Sequence, residues 1–460
     1  MDAPLTRSLI REFQALVDPK RCLSTPEDCT AYSYDMFARG LPDLVLLPES
    51  TEEVSRIMAL AHEHRIPVTP RGAGTSLTGG PVATKGGIVL SLTRMNQILE
   101  ISRDNRLVQA QAGVVTADLQ KAVAAQGLFY PPNPTSAEYC TLGGNIATNA
   151  GGASGVKYGV TRDYILSLTA VLADGRILKT GNPCIKSVTG FDFRHALCGS
   201  EGLLAVITEA SLRLIPAPRQ IKTSLAYFKD IPAAARAVAA IIQDGLVPST
   251  MELMDDGFLA AVSRVYGLGF PPGAGAALLL ELDGEAETLA AQGQRLEEIC
   301  TGQAAITFEQ ARTEEERHTL WQARRGGTAA LVRNAKFLQT LDFAVPVAAM
   351  AQAVQGIQEI TTAHGLTMVL IGHAGDGNLH PMFIYDPEDP KQKAAFQAAE
   401  KEMSHLILSM DGTLSGEHGI GLEKAEFLPH ELSTVELDLG RELKKAMDPR
   451  SILNPGKCGF

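Results

Sequence analysis

Residues 70–80 have the sequence PRGAGTSLTGG, and they lie between two predicted strands, Ile66–Thr69 and Ile88–Leu92. Glycine has no Cβ, so a loop of this composition can expose several backbone N–H groups together and accept a diphosphate. The spacing does not match G-x-G-x-x-G and no helix obviously begins there, which disfavours a Rossmann dinucleotide site. Taken alone, the stretch is more typical of a glycine-rich surface turn.

A second glycine-rich stretch covers residues 131–159, PPNPTSAEYCTLGGNIATNAGGASGVKYG, between a predicted helix and the next strand. A loop of this length is uncommon in a compact domain unless it is functional. Small residues at Ala147, Ala150, Gly151 and Gly152 would let a large flat ligand lie against the backbone. Two such loops in one domain indicate a shared ligand more than two chance turns.

The overall composition restricts the class of protein. A length of 460 residues predicts two or three domains, and the net charge of -11 argues against nucleic acid or an anionic membrane surface as a partner. The N-terminus predicts an amphipathic helix rather than a signal peptide, and no apolar run reaches the ~18 residues of a membrane helix. We therefore expect a cytoplasmic protein. The seven cysteines are scattered without a CxxC motif, which predicts reduced thiols and no iron–sulfur cluster in this chain.

Three motifs together resemble a known family. PRGAGTSLTGG, TLGGNIATNAGG followed by Tyr158-Gly159, and SEGLLAVITEASLRL at residues 200–214 are similar to the FAD-binding domain of the vanillyl-alcohol-oxidase/p-cresol-methylhydroxylase family. The resemblance extends through residues 41–460, and it points to the branch of D-lactate, glycolate and D-2-hydroxyglutarate dehydrogenases. This branch implies an oxidoreductase that uses FAD.

The resemblance implies an α+β fold with a two-part FAD-binding domain, an antiparallel α+β substrate (cap) domain and a helical C-terminal return. Pro216 and Pro218 mark a plausible boundary between the two domains. The expected segments are an N-terminal helical segment at 1–40, the FAD-binding domain at 41–218, the substrate domain at 219–413 and the segment that returns to the flavin at 414–460.

The resemblance also implies which residues bind FAD. The first loop would cradle the pyrophosphate, the second would line the flavin and its linker, and the third motif and the tail would close around the cofactor. The residues assigned in this way are Pro70, Arg71, Gly72, Ala73, Gly74, Thr75, Ser76, Gly79, Pro134, Thr135, Gly143, Gly144, Asn145, Thr148, Gly151, Gly152, Tyr158, Gly159, Glu201, Gly202, Ile207 and Asn454. Relatives with covalently bound flavin often carry His where this chain has Thr75, so non-covalent FAD is expected.

The segment IGHAGDGNLH, residues 371–380, carries a pair of histidines. Asp376-Gly377 is a preferred two-residue hairpin turn, which would place His373 directly opposite His380, with Cβ atoms about 5 Å apart. Two neutral imidazoles at that separation can bind one divalent cation if a carboxylate completes the set. A lone histidine is more often a hydrogen-bonded core or surface residue, and a longer turn would still keep both at the base of one hairpin.

The remaining site residues come from two further motifs. In SGEHGIG, Glu417 and His418 lie between glycines, a pattern that alone is typical of a solvated loop. The resemblance implies that His373, His380 and Glu417 bind Zn²⁺ or a similar ion and that His418 is the base. In WQARRGGTAAL, it implies that Arg324 and Thr328 hold the substrate carboxylate; an exposed helix edge is the alternative for at least one of the adjacent arginines.

The chain departs from the family pattern at two positions. Members that act on dicarboxylic 2-hydroxy acids carry Asn where this chain has Met382, and Lys where it has Thr340. Both differences remove polar groups for a second carboxylate, which favours a short monocarboxylate such as D-lactate or glycolate.

We therefore expect FAD- and metal-dependent oxidation of a small D-2-hydroxy acid to the 2-oxo acid, with electrons passed to an acceptor other than NAD. That acceptor would be an iron–sulfur subunit, an electron-transfer flavoprotein or a quinone. A homodimer and attachment to a membrane through a partner subunit are compatible with this hypothesis. The alternatives are a D-2-hydroxyglutarate dehydrogenase, a non-catalytic flavoprotein subunit that transfers electrons within a complex, and a flavin-free metallohydrolase.

Overall fold

A computed structural model of the chain describes residues 5–267, 269–333 and 335–460. Its strands, in chain order, are β1 Cys22–Leu23, β2 Leu44–Leu46, β3 Val68–Arg71, β4 Ile88–Ser91, β5 Ile98–Ser102, β6 Leu107–Gln111, β7 Leu128–Phe129, β8 Ile165–Val171, β9 Ile177–Gly181, β10 Val206–Arg213, β11 Ile215–Pro216, β12 Gln220–Phe228, β13 Thr250–Asp255, β14 Ala276–Gly284, β15 Thr307–Gln310, β16 Leu338–Thr340, β17 Phe343–Ala344, β18 Thr367–His373 and β19 Asn378–Ile384.

The α-helices, in chain order, are α1 Arg7–Gln14, α2 Pro26–Thr30, α3 Thr51–His64, α4 Thr116–Ala124, α5 Leu142–Thr148, α6 Gly155–Tyr158, α7 Phe193–Leu197, α8 Ile231–Gln243, α9 Asp256–Tyr266, α10 Ala286–Gly302, α11 Glu314–Val332, α12 Met350–Ala363, α13 Pro390–Leu408, α14 Leu428–Glu431 and α15 Thr434–Met447. Short 3-10 turns occur at Pro19–Arg21, Leu92–Arg94, Thr161–Tyr164 and Val347–Ala349.

The described residues divide into two compact units. The first comprises residues 5–151, 160–217 and 417–460, and the second comprises 152–159 and 218–416. The second unit therefore includes a short piece of the second glycine-rich stretch. The segment boundaries inferred from the sequence stay predictions.

The first unit begins with a small sheet in the order β1-β2-β4-β3. Strands β2, β3 and β4 are parallel, and α3 connects β2 to β3. Ser50 caps α3 by accepting a hydrogen bond from Glu53 N, as the spacing of the two residues predicts, and Arg65 ends it in the left-handed region. The buried side chains of Ile57 and Ile88 are part of the apolar core of this sheet. The glycine-rich loop of residues 72–80 follows β3 directly.

The first unit also contains an antiparallel sheet in the order β5-β6-β10-β8-β9. Strands β8 and β9 form a hairpin about Asp174-Gly175, a preferred turn sequence, with Val171 opposite Ile177. The second glycine-rich stretch was predicted as a loop, and this is wrong for part of it because residues 142–148 form α5. Thr141 caps this helix, and buried Leu142 and Ile146 compensate for the weak helix propensity of its glycines by packing into the core.

The second unit is built on an antiparallel sheet in the order β15-β12-β14-β13-β18-β19-β16, with β17 also paired to β19. This confirms the predicted antiparallel α+β domain. Strand β13 occupies a central position between β14 and β18. Because its residues are buried throughout, β13 lacks the alternation that marks a half-exposed strand.

Among the described residues, the structure contains no helix whose length and apolar character would allow it to cross a membrane.

Candidate active site

The first glycine-rich loop offers a row of backbone donors. Within the described part of the chain, the N–H groups of residues 73–77 donate no hydrogen bond to another protein group. Ser76 Oγ instead accepts from the N–H of Thr78, which shapes the end of the row. Consecutive unpaired N–H groups suit the oxygens of a diphosphate. Assignment of Gly72, Ala73, Gly74, Thr75 and Ser76 to the pyrophosphate stays a prediction.

Arg71 is buried beneath this loop. Its guanidinium donates to the carbonyl of Tyr34 at 3.0 Å and to that of Pro81 at 3.2 Å. Arg71, which precedes the loop, is therefore linked to Pro81, which follows the loop, and to the separate segment that contains Tyr34. A Cβ added at Gly74, where φ is +76°, would collide with this guanidinium. Burial lowers the pKa of Arg71. The fixed position of Arg71 explains why this loop needs glycine at residue 74.

The second glycine-rich stretch contributes α5 and its flanks to the first unit. Thr141 Oγ1 accepts from Gly144 N at 3.4 Å, and Asn145 Nδ2 donates to Thr116 Oγ1 at 2.8 Å. A Cβ at Gly143 would lie 2.7 Å from Ala112 Cβ, which shows that the helix packs closely there. The other predicted flavin residues in this unit from the same stretch are Pro134, Thr135, Thr148 and Gly151.

Three predicted flavin residues belong instead to the second unit: Gly152, Tyr158 and Gly159. The hydroxyl of Tyr158 donates to Asp283 Oδ2 at 2.6 Å, and Lys157 forms an ion pair with the same carboxylate. These contacts anchor the piece of residues 152–159 within its unit. Assignment of the three residues to FAD stays a prediction.

Glu201 connects the third motif to the segment around residue 420. Its carboxylate accepts hydrogen bonds from Ile420 N at 2.7 Å and Gly421 N at 2.9 Å, and desolvation raises its pKa. Asn454 Nδ2 donates to the carbonyls of Gly80 at 3.1 Å and Glu201 at 2.8 Å. The predicted third motif, first loop and tail therefore meet within the first unit.

The remaining predicted cofactor residues lie beside these. Gly202, with φ of +74°, faces Pro70, Gly79 N donates to Asp35 Oδ2 at 2.8 Å, and Ile207 is buried in β10.

In the second unit, the histidine hairpin has a longer turn than predicted. His373 lies opposite Asn378 and His380 opposite Ile371, so the expectation that the two histidines face each other directly is wrong. Residues 374–377 form a four-residue connection, which shifts the register by two. A shift of two keeps each side chain on its original face of the sheet. The two rings are therefore still neighbours, with centroids 5.3 Å apart, and both are buried.

Glu252 of β13 is a site residue that the sequence did not reveal. Its Oε1 lies 2.5 Å from His373 Nδ1 and its Oε2 lies 2.6 Å from Arg324 Nη2. All three side chains are buried. Desolvation opposes ionisation of Glu252, but its contacts with His373 and Arg324 hold its pKa below the usual value. An acidic residue inside an apolar strand, the second residue of MELMD, is the signal that could have identified it.

Asp342 is the second such residue. It is fully buried, it accepts hydrogen bonds from Asn378 Nδ2 at 2.7 Å and Ser415 Oγ at 2.8 Å, and its Oδ1 lies 3.7 Å from His380 Nδ1. Each histidine of the hairpin therefore has a carboxylate beside its Nδ1. For His373, the hydrogen bond between Nδ1 and Glu252 leaves Nε2 as the nitrogen that the ring can offer to a metal ion.

The two adjacent arginines of α11 have different environments. Arg324 is buried, and its Nε has no hydrogen-bond partner among the described residues. Arg325 is exposed over the ring of Trp321, as expected for one of the pair. Thr328 is half-buried one turn beyond Arg324. An unpaired buried guanidinium donor can bind an anion such as a carboxylate.

Glu417 and His418 belong to the first unit, whereas His373 and His380 belong to the second. His418 Nε2 lies 3.9 Å from Glu417 Oε1, and the carbonyl of His418 is 3.5 Å from Thr78 Oγ1. A Cβ added at Gly151 would lie 3.3 Å from Glu417 Oε2, so the second glycine-rich stretch leaves room for this carboxylate. The metal set of His373, His380 and Glu417 stays a prediction.

Comparisons with known proteins place these features in a family. Residues 217–458 match the model for the C-terminal domain of FAD-linked oxidases, and residues 42–181 match the model for an FAD binding domain. The chain belongs to the FAD-linked oxidases. This confirms the resemblance and the expectation of an FAD-dependent enzyme.

Two relatives of this FAD-linked oxidase match over nearly the whole chain. This chain is 42% identical over 428 residues to the glycolate oxidase subunit GlcD of Bacillus subtilis (strain 168), and the alignment covers 93% of this chain and 91% of the relative. The chain is 38% identical over 418 residues to a D-lactate dehydrogenase of Archaeoglobus fulgidus, and that alignment covers 90% of each protein.

The fold of this FAD-linked oxidase is that of p-cresol methylhydroxylase. The crystal structure of that enzyme with substrate bound matches with a TM-score of 0.81 at 16% identity, and it covers 99% of this chain and 98% of that chain. The predicted vanillyl-alcohol-oxidase/p-cresol-methylhydroxylase fold is therefore confirmed.

Proposed function

We propose that this FAD-linked oxidase oxidises a short D-2-hydroxy acid, D-lactate or glycolate, to the 2-oxo acid. The observation that carries the proposal is the buried cluster of Arg324, Glu252 and His373, which holds a cationic carboxylate receptor next to a candidate metal ligand. Two relatives named for glycolate and D-lactate support the substrate class. Bound FAD would supply the acceptor for the hydride on the substrate Cα.

Arg324 and Thr328 would hold the substrate carboxylate. The guanidinium is anchored through one nitrogen to Glu252, which leaves its other donors for the substrate, and its Nε is unpaired within the described residues. A guanidinium presents donors in a fixed fork, so it can fix the orientation of a carboxylate as well as its position. Thr328 adds a hydroxyl on the same face of α11, four residues along.

We propose that His373, His380 and Glu417 bind a divalent ion such as Zn²⁺. The two buried neighbouring rings fit a metal, and the contact of His373 Nδ1 with Glu252 keeps Nε2 of that ring for the ion. An ion held there would supply Lewis-acid polarisation, which lowers the pKa of the substrate hydroxyl.

His418 would take the hydroxyl proton. Histidine suits this role because its ordinary pKa lies near neutrality, and a positioned general base contributes roughly 10²–10⁴-fold to a rate. The hydrogen bonds of Glu201 to the residues just after His418 hold the backbone of this segment.

The region beside His380 supports a substrate without a second carboxylate. Thr340 and Met382 are direct partners across β16 and β19. Met382 is buried in the apolar cluster with Phe258 and Leu331. A second carboxylate near this cluster would lose hydration without gaining a cationic partner.

We propose that the electrons leave through a protein partner or a quinone and that the flavin is bound non-covalently. A relative named as a subunit of glycolate oxidase supports a multi-subunit assembly. An electron-transfer subunit without its own substrate would have no need of the buried arginine.

The decisive experiment is anaerobic reduction of the bound flavin. We expect D-lactate or glycolate to bleach the flavin absorbance, D-2-hydroxyglutarate to bleach it much more slowly, and a strong chelator to slow the reaction until Zn²⁺ is restored. Bleaching by NADH alone, or rapid bleaching by D-2-hydroxyglutarate only, would contradict the proposal. A purified protein that contains metal but no flavin would favour a hydrolase.

A further inference from the structure

The carboxylate of Glu252 joins two functional side chains that come from different elements. Glu252 is directly opposite His373 across β13 and β18, and its Oε1 lies 2.5 Å from His373 Nδ1. Its Oε2 lies 2.6 Å from Nη2 of Arg324, which comes from α11. Each oxygen therefore serves a different partner. Because the Glu252 side chain is only 2% exposed, water cannot replace His373 or Arg324 as its partner.

We propose that Glu252 is a positioning residue that couples the proposed metal ligand His373 to the proposed carboxylate receptor Arg324. The inference rests on the proposed function, since it takes the roles of His373 and Arg324 from there. It adds that the two roles depend on one carboxylate. The site would then bind the metal and the substrate carboxylate as a linked pair rather than independently.

The contact with His373 determines which nitrogen can meet the metal. A carboxylate acceptor at Nδ1 keeps the proton on that nitrogen, so the lone pair of the neutral ring is at Nε2. It also fixes the rotation of the ring. Carboxylates that hydrogen-bond to metal-ligating histidines typically contribute 10–100-fold to metal affinity.

The contact with Arg324 fixes the other half of the site. A buried guanidinium without a counter-charge is costly, so Arg324 needs an acidic partner that is present before substrate binds. The ring of Phe258 lies 5.7 Å from the guanidinium carbon and further confines it. Glu252 contacts only Nη2 of Arg324, so the other guanidinium nitrogens can donate to the substrate carboxylate.

A neighbouring carboxylate shows what a purely structural role looks like in this sheet. Glu281 of β14 is also buried, and it binds Arg317 Nε at 3.0 Å and Trp321 Nε1 at 2.7 Å. None of these partners is a proposed ligand of metal or substrate. Glu281 therefore provides a matched control, because it too is a buried glutamate that pairs with an arginine of α11.

The test compares Glu252→Gln with Glu281→Gln in the FAD-loaded enzyme. An amide cannot accept from both His373 and Arg324, so Glu252→Gln should weaken Zn²⁺ binding about 10–100-fold in a chelator competition. The KM for D-lactate should also rise at least tenfold, with the flavin content unchanged. Glu281→Gln should leave the Zn²⁺ affinity and the KM within about twofold of the parent.

Glu252→Asp is the second variant. Aspartate keeps the negative charge beside Arg324, so this variant should fold more readily than Glu252→Gln. Its side chain is one methylene too short to contact both His373 and Arg324. It should lose Zn²⁺ affinity or raise the KM by an intermediate factor. Wild-type values for both quantities in either soluble variant would overturn the proposal, as would equal losses in Glu281→Gln.

The outcome also separates this inference from the proposed function. If the parent enzyme binds no Zn²⁺ and its flavin reduction is insensitive to chelator, the proposed metal site fails, and the coupling fails with it. If the parent depends on the metal but Glu252→Gln binds Zn²⁺ as tightly as the parent, only the coupling is wrong.

Discussion

The carboxylate of Glu201 accepts a hydrogen bond from the backbone N–H of Gly421 at 2.9 Å. The adjacent N–H of Ile420 donates to the same carboxylate at 2.7 Å. These donors lie two and three residues after the proposed base His418, and a carboxylate that accepts from two backbone N–H groups is a strong anchor. Glu201 therefore contributes to the site by holding the segment that carries Glu417 and His418.

Glu201→Gln should reduce kcat for D-lactate about 10–100-fold, because a hydrogen bond to a charged group is worth about 1.5–3 kcal/mol and an amide can accept only at its oxygen. The loosened segment should also be cleaved faster by trypsin at Lys424. Steady-state kinetics and a timed digest measure both effects. Glu209→Gln on β10 is the control and should change neither; unaltered kcat in Glu201→Gln would contradict the anchoring role.

Gly74→Ala should impair FAD retention. The residue has φ of +76°, and a Cβ there would collide with the buried guanidinium of Arg71. Displacement of Arg71 would release its bonds to Tyr34 and Pro81 and disturb the row of N–H donors at residues 73–77. The measurement is the flavin-to-protein absorbance ratio after gel filtration.

Gly190→Ala is a matched control for that substitution. Gly190 has φ of +77°, so alanine carries the same backbone strain, but a Cβ there would meet nothing within 4 Å. Only the collision with Arg71 distinguishes the two variants. Equal flavin loss in both would show that strain, and not the geometry of the loop, is responsible.

The histidine hairpin shows which parts of the site can be predicted from the sequence. The pairing of Asp376-Gly377 with flanking histidines indicated one hairpin and one shared face, and both are present. The exact register was wrong because the strand β19 begins at Asn378, whose side chain donates to Asp342 and to the carbonyl of Phe343. Contacts of this kind between distant segments override the local preference for a two-residue turn.

Glu252 could not be assigned a role from the sequence. Its importance depends on the register between β13 and β18, which sets Glu252 opposite His373 across 121 positions of chain. A glutamate in an apolar segment predicts burial with a partner, but nothing local identifies that partner. The family motifs were recognisable because they are contiguous, whereas the carboxylates of Glu252 and Asp342 come from segments far from the histidine hairpin in the sequence.

The pair Thr340 and Met382 should control selection against a second carboxylate. The double variant Thr340→Lys with Met382→Asn places a cation and an amide on directly opposed positions of β16 and β19. Met382 and His380 are two residues apart in β19 and therefore share a face. The ratio of kcat/KM for D-2-hydroxyglutarate to that for D-lactate should rise at least tenfold, since one good ionic hydrogen bond is worth about 1.5–3 kcal/mol.

The pair two positions farther along the same strands, Leu338 with Ile384, provides the control for this change. Leu338→Lys with Ile384→Asn introduces the same chemistry two pairs farther from His380 and should leave the ratio unchanged. A similar ratio in both double variants would locate substrate selection elsewhere.

Lys457 should make stability depend on pH in the alkaline range. The side chain is buried, its Nζ donates to the carbonyl of Val82 at 2.6 Å, and burial lowers its pKa to about 8. The unfolded chain keeps the ordinary pKa near 10.5, so between about pH 8 and 10.5 it binds more protons than the folded protein. The contribution of Lys457 to the free energy of unfolding therefore increases as the pH rises from about 8 to about 10.5. The same contribution is lost as the pH falls through 8.

Lys457→Met should remove this dependence. Methionine fills similar space without a charge. Because the lost hydrogen bond to Val82 costs the same at every pH, it does not alter the slope of stability against pH. A change in that slope therefore reports the titration of Lys457. Urea midpoints at pH 7.5, 9 and 10.5 should rise more steeply in the parent than in the variant, at about 1.4 kcal/mol per unit of pKa shift. Exposed Lys121→Met should keep the parental slope; the same slope in Lys457→Met would mean that Lys457 is not titrating as a buried amine.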